Sequence, residues 1–350
     1  MKRILPFLLV LVMLFAAPAA QAAEAPAEVD PSEVITLVFS FTDPETNNQY
    51  TDIFKPYFDM ITERTGGRVQ FECHFNGELA SMMEAYDAAA KGTVDIAYVR
   101  TGSLSYCPFE SLIENPPIAG SKCLRASYAM NQLFTEFPEL ADSYPGVHFL
   151  LRYVMYDGYI GTTKDPIEKF EDFKGKTLII GSVLAANRAK AFGATPLDVL
   201  PPDFYTSLEK GLADGAITVT QPEMITYSWS DVIKNVTTVP VIKACCGLAM
   251  NEDVWNSLPA DIQDIINEAM AEAIDLADSA GLKLETDAIE TLTAEYGVNY
   301  VEPSDDLIAA MQAADEECIA DFIAQLEASS VPNAGEIYAR YLELYNEYSE

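Results

Sequence analysis

Residues 170–216 read FEDFKGKTLIIGSVLAANRAKAFGATPLDVLPPDFYTSLEKGLADGA, and their order of elements decides the fold. Thr177, Leu178, Ile179 and Ile180 are a short apolar run of strand type. Residues 185–192 predict a short helix, closed by Gly193. Asp203, behind Pro201 and Pro202, is placed to cap a second helix ending near Leu212. Residues 216–220 then return to strand. A strand that leaves through a helix and comes back to a strand belongs to a parallel, helix-covered sheet.

An earlier part of the chain repeats this unit. Residues 34–41 (VITLVFSF) read as a buried strand, and Ile53, Phe54, Tyr57, Phe58 and Ile61 set a helix over about 50–65 that stops at Gly66-Gly67. Val69, Phe71, Cys73 and Phe75 alternate, which predicts a strand over 68–75. A helix over about 80–91 and a strand over 94–99 complete the unit, and 122–142 and 147–156 read as helix and strand. Two such units in 350 residues predict an α/β protein of two lobes, with a ligand cleft where strand ends and loops converge. Residues 261–295 contain no proline and carry apolar residues at helical spacing, which predicts a helix of about 50 Å. So long a helix would span both lobes, and Gly281 is a candidate bend or break. Helices over about 305–327 and 334–348 finish the chain. The lobes are expected at 33–154 with about 242–280, and at 155–241 with about 281–350.

The first residues set the expected compartment. Lys2 and Arg3 precede an apolar run over 4–17, and Ala20-Gln21-Ala22 is a small-x-small site. This is the layout of a signal peptide over 1–22, and it predicts an exported, periplasmic protein. The formal net charge is −33, and it becomes two units more negative without Lys2 and Arg3. Such a surface repels nucleic acid and anionic membranes. It also forces any anionic ligand to find a local positive site.

Six cysteines suit an oxidising compartment. Cys107 and Cys123 bracket a proline-rich loop and are the expected disulfide, while adjacent Cys245 and Cys246 read as buried apolar residues. The two histidines, His74 and His148, stand in no metal-ligand spacing and no nucleophile context, so neither a metal, a cofactor nor an enzymatic role is expected.

With these elements in place, an ordered set of motifs runs along the chain: Glu63-Arg64-Thr65-Gly66-Gly67-Arg68, Gly77-Glu78-Leu79, Lys91-Gly92-Thr93-Val94-Asp95-Ile96, Asp172-Phe173-Lys174-Gly175-Lys176, Phe192-Gly193-Ala194-Thr195-Pro196, Asp214-Gly215-Ala216 and Trp255-Asn256-Ser257-Leu258-Pro259. In this the chain resembles the solute-binding subunits of tripartite ATP-independent periplasmic (TRAP) transporters, the dicarboxylate-binding-protein (DctP) family. The resemblance implies a two-lobed periplasmic binding protein fold with a long lobe-spanning helix. It implies closure around a small organic ligand, usually a carboxylate, and delivery to integral-membrane transporter subunits. A sensor protein signalling to a membrane receptor would share fold and pocket.

The family's anchoring arginine falls on Ile179 here, a second arginine on Ile160, an asparagine on Thr218 and an aromatic wall position on Pro201. An isoleucine cannot bind an anion. Either the positive charge has moved, to Arg100 or to Arg152, or the ligand is less polar. Tyr98, Phe41, Tyr156, Tyr159 and Trp229 are then candidate stacking faces, although each aromatic is also an ordinary core residue. Thr42, Ser182, Thr218 and Gln221 are candidate hydrogen-bonding partners.

Overall fold

The computed structural model describes residues 34–103, 107–118, 125–199 and 201–348. The expected signal peptide lies outside them. Nine strands form one sheet: β1 (Ile35–Ser40), β2 (Val69–His74), β3 (Ile96–Val99), β4 (Val147–Thr162), β5 (Thr177–Ile180), β6 (Thr195–Asp198), β7 (Gly215–Thr220), β8 (Asn235–Asn251) and β9 (Asn299–Val301). Their spatial order is β2-β1-β3-β8-β4-β7-β5-β6, with β9 beside β8. At one end β1 pairs in parallel with β2 and β3; at the other β5 pairs in parallel with β6 and β7. These are the two expected units. Edge strand β6 accommodates Pro196, which has no N–H for a further ladder.

Between the units run β4 and β8, long antiparallel strands of 16 and 17 residues. Both are buried along nearly their whole length, because helices and neighbouring strands cover both faces. Their pairing shifts register between Phe149 and Leu151, Val154 and Asp157, and Gly158 and Ile160. Such irregularities bend a strand pair and raise its twist. Here they carry the sheet from one unit to the other, and Asp157 and Lys243 form a buried ion pair between in-register positions of the two strands.

Twelve α-helices are described: α1 (Lys55–Arg64), α2 (Ala85–Ala90), α3 (Glu110–Glu114), α4 (Ala126–Glu136), α5 (Pro138–Ala141), α6 (Val183–Ala191), α7 (Pro201–Glu209), α8 (Gln221–Thr226), α9 (Glu252–Ser257), α10 (Ala260–Tyr296), α11 (Asp305–Ser329) and α12 (Ala334–Glu347). A single π-helical turn at Tyr50–Phe54 leads into α1. The helix expected over 122–142 is divided at Pro138, which opens α5.

Helix α10 is continuous over 37 residues, about 55 Å at 1.5 Å per residue. It ends at Gly297 in the left-handed conformation. Gly281 does not break it. A Cβ there would stand 1.7 Å from the Met155 carbonyl oxygen, so glycine lets α10 lie directly on β4. Ile262, Ile266, Ala269 and Ala273 pack into the core around β1 and β3, whereas Leu292 packs with Trp229 and Val298 in the core beside β7. The helix therefore spans both lobes.

The C-terminal helix, expected with the second lobe, packs on the first unit: Ile337, Tyr341 and Tyr345 of α12 share a core with Leu133 of α4 and Phe149 of β4. Tyr338, Tyr341 and Tyr345 make a continuous aromatic face that the first unit covers. Of the expected Cys107–Cys123 disulfide only one partner is described. Cys107 is a free thiol, 1% exposed, packed with Phe109 and Leu112 and pushed up to about 12 by burial; Cys123 lies outside the described residues. Cys245 and Cys246 are free and buried, as expected.

Candidate ligand-binding cleft

Parallel strands present their C-terminal ends to one edge, and here the edges of the two units face each other. Strand β1 delivers Thr42 and Asp43, β3 delivers Arg100, β5 delivers Ser182, and β7 delivers Gln221 and Glu223 on the first turn of α8. Arg100 Nη1 donates to Glu223 Oε1 across the seam at 3.0 Å, with the two side chains 24% and 14% exposed. Desolvation opposes the guanidinium charge, and the carboxylate of Glu223 overcomes it, so the Arg100 pKa is raised. The other carboxylate oxygen accepts from Thr220 Oγ1 at 2.7 Å. Further along, Asn115 Nδ2 donates to Ser182 Oγ at 3.1 Å. Ser182 also caps α6, accepting from the Ala185 amide.

A cavity of about 400 Å³ opens beside the Arg100–Glu223 pair. Tyr98, Tyr156 and Tyr227 line it, with Asp43, Met155 and the α10 residue Asp287. Burial raises the Asp43 carboxyl pKa, against the opposing pull of Arg100. A second cavity, of about 600 Å³, lies at the β5 end, lined by Gly102, Gly181, Ser182, Asn187 and Lys190.

Of the residues singled out from the sequence, Arg100 and Tyr98 line the first cavity and Ser182 the second. Phe41 lies behind Tyr98 at 5.2 Å between ring centroids and is fully buried, so it supports the wall. The Thr42 hydroxyl is buried without a hydrogen-bond partner, and so are both amide atoms of Gln221, which is 0% exposed. Thr218 is half-buried on β7, facing Gly181. Pro201 opens α7, and its side chain falls outside the described set.

Ile160 and Ile179 line neither cavity. Ile160 packs with Leu178 and Val239, and Ile179 with Phe204 and Met224. Tyr159 likewise turns away, donating to Glu285 of α10. Trp229 is stacked on Phe204 in the same core. Arg152 is not a displaced anchor: it lies over Phe134 and Phe149 at 4.1 and 4.0 Å, buried, with burial lowering its pKa to about 10 against the pull of Glu110. The sequence reading missed Glu223, Asp43 and Tyr227. Glu223 lies one helical turn past β7, and no local signal ties it to Arg100, 123 residues earlier.

The profile of the bacterial extracellular solute-binding proteins of family 7 (DctP) matches residues 39–326. The chain belongs to this family. Two curated relatives are similar to this family member. The C4-dicarboxylate-binding protein DctB of Bacillus subtilis is 23% identical over 282 residues, 77% of each chain. The YiiZ protein of Salmonella typhimurium is 25% identical over 171 residues, 45% of this chain and about half (49%) of its own length. Among solved structures, a TRAP periplasmic solute-binding protein of Bordetella bronchiseptica with bound mandelate superposes with a TM-score of 0.77 at 22% identity, covering 89% of this chain and 99% of that one. A marine-metagenome TRAP solute-binding protein specific for aromatic acids, in complex with 3-hydroxybenzoate, gives 0.79 at 20% identity, covering 91% and 99%. At such identities the likeness concerns the fold, which is that of the two-lobed binding proteins.

Proposed function

We propose that this chain is a periplasmic binding protein, not an enzyme, that captures a small organic acid, aromatic acids included, between its lobes and delivers it to integral-membrane TRAP subunits. The observation that carries the reading is the meeting of Arg100 from one unit and Glu223 from the other beside a cavity walled by tyrosines. The lobes divide at the β4–β8 crossing, and closure draws the two strand-end edges together on the ligand. The bound acids of the solved relatives support the ligand class. Among the described residues no helix is long and apolar enough to cross a membrane.

Thermal-shift screening of the mature protein against small organic acids, followed by calorimetry on the best, tests the proposal. At least one acid stabilises the protein, and Arg100→Ala weakens that acid at least about tenfold, the scale of a lost charge-assisted pair. Unchanged affinity in the variant would remove Arg100 from the site.

A further inference from the structure

Among the described residues the cavity beside Arg100 is walled by three carboxylates, Asp43, Glu223 and Asp287, against a single guanidinium. Asp287 is matched by Lys283, one turn earlier on α10. Asp43 and Glu223 both face Arg100, and Arg100 already has Glu223 at 3.0 Å. A ligand bearing only a carboxylate must displace Glu223 from the guanidinium. Glu223, 14% exposed, would then keep only the Thr220 hydroxyl, and a largely buried carboxylate left without its cation is strongly unfavourable. A ligand with both charges exchanges one ion pair for two and leaves no charge alone.

Resting on the proposed ligand cleft, we propose that its ligand is an amino-acid-like zwitterion, whose carboxylate goes to Arg100 and whose ammonium goes to Glu223 and Asp43. A further feature fits this chemistry: Tyr98, Tyr156 and Tyr227 line the cavity, and tyrosine faces attract ammonium groups.

The test compares three pools on the mature chain: the protein amino acids, their deaminated acids and their decarboxylated amines. Thermal shift finds the best compound, and calorimetry measures it beside its two truncated counterparts. The expected result is an amino acid binding at least about tenfold tighter than either counterpart. In Glu223→Gln that gap shrinks, because the amide no longer attracts the ammonium and no longer holds Arg100. Should that variant fail to melt cooperatively, Asp43→Asn and the wild-type comparison decide. A deaminated acid that matches or beats its parent amino acid overturns the zwitterion while leaving an organic-acid site standing. A winning amine overturns it as well. Silence from all three pools counts against the cleft reading and this inference together.

Discussion

Replacing Gly281 by alanine sets two effects of opposite sign against each other. In an exposed helix the change would stabilise by about 1 kcal/mol, through helix propensity and a less flexible unfolded chain. In this protein the new methyl would sit 1.7 Å from the Met155 carbonyl oxygen and 2.8 Å from its carbon. Backbone of a central strand cannot rotate away, so α10 must lift from β4 by more than 1 Å. A gap of that size forfeits roughly a quarter to a half of the dispersion contact along the seam. The neighbours Ala277 and Ala280, small residues facing the same side, would share the loss. Overpacking of this kind costs about 1–3 kcal/mol, occasionally more. A clash this short with backbone belongs at the upper end, about 3 kcal/mol, so after the opposing gain of about 1 kcal/mol we expect a net loss of about 2 kcal/mol. Guanidinium unfolding followed by the fluorescence of Trp229 and Trp255, which report on different cores, measures it and shows whether the lobes still unfold together. A variant as stable as the parent, or more so, would refute the claim that glycine is there for close approach.

Arg188 is 0% exposed and grips Asp315 through Nε and Nη2 at 2.7 and 2.8 Å, while donating to the carbonyls of Val241 and Pro116. Arg188→Met should cost about 3–5 kcal/mol in chemical denaturation, and Arg188→Met with Asp315→Leu less than that, since no charge is then stranded. Burial raises the carboxyls of Glu110 to about 7 and Glu114 to about 8. The folded chain holds these protons more tightly than the unfolded one, so stability falls as pH rises from about 4.5 to 8, and Glu114→Gln should flatten that slope by on the order of 3 kcal/mol across the range. Burial lowers His148, stacked on Trp255, to about 4, so stability should also fall as pH drops from 6.5 towards 4, and His148→Phe should remove that acid-side loss in pH-dependent melting.

Much of the architecture could be read from the amino-acid pattern, for reasons that lie in periodicity. Strands β1, β2 and β3 and the helices between them show regular spacing because each has one apolar face or a short apolar run. Helix α10 was legible from its proline-free apolar repeat. Strand β8 was not legible. It is covered on both faces, so it has no alternation, and Pro240 in its middle argues against a strand. The structure places Pro240 inside the register shift opposite Gly158 and Ile160, where no regular ladder needs its N–H. Gly281 misled for a related reason: its meaning lies in the approach of a residue 126 positions earlier, which no local pattern carries.

The cleft was legible in its frame and not in its charge. Ile160 and Ile179, where the resemblance implies arginines, are apolar, and Ile179 packs in a core with Phe204 and Met224. On that reading the second lobe offers acids to the cleft and no arginine at these two positions. Among the described residues lining the cavity Arg100 is the one cation, and it is met by Glu223 from the other lobe. In a chain of net charge −33 the surrounding field adds to the same bias. A free carboxylate entering this cleft gains one guanidinium and must compete with a carboxylate already bound to it, whereas an added ammonium relieves that competition. With Arg100 already paired to Glu223 and Asp43 beside them, the proposed cleft favours a ligand that brings its own ammonium over one that brings a carboxylate alone.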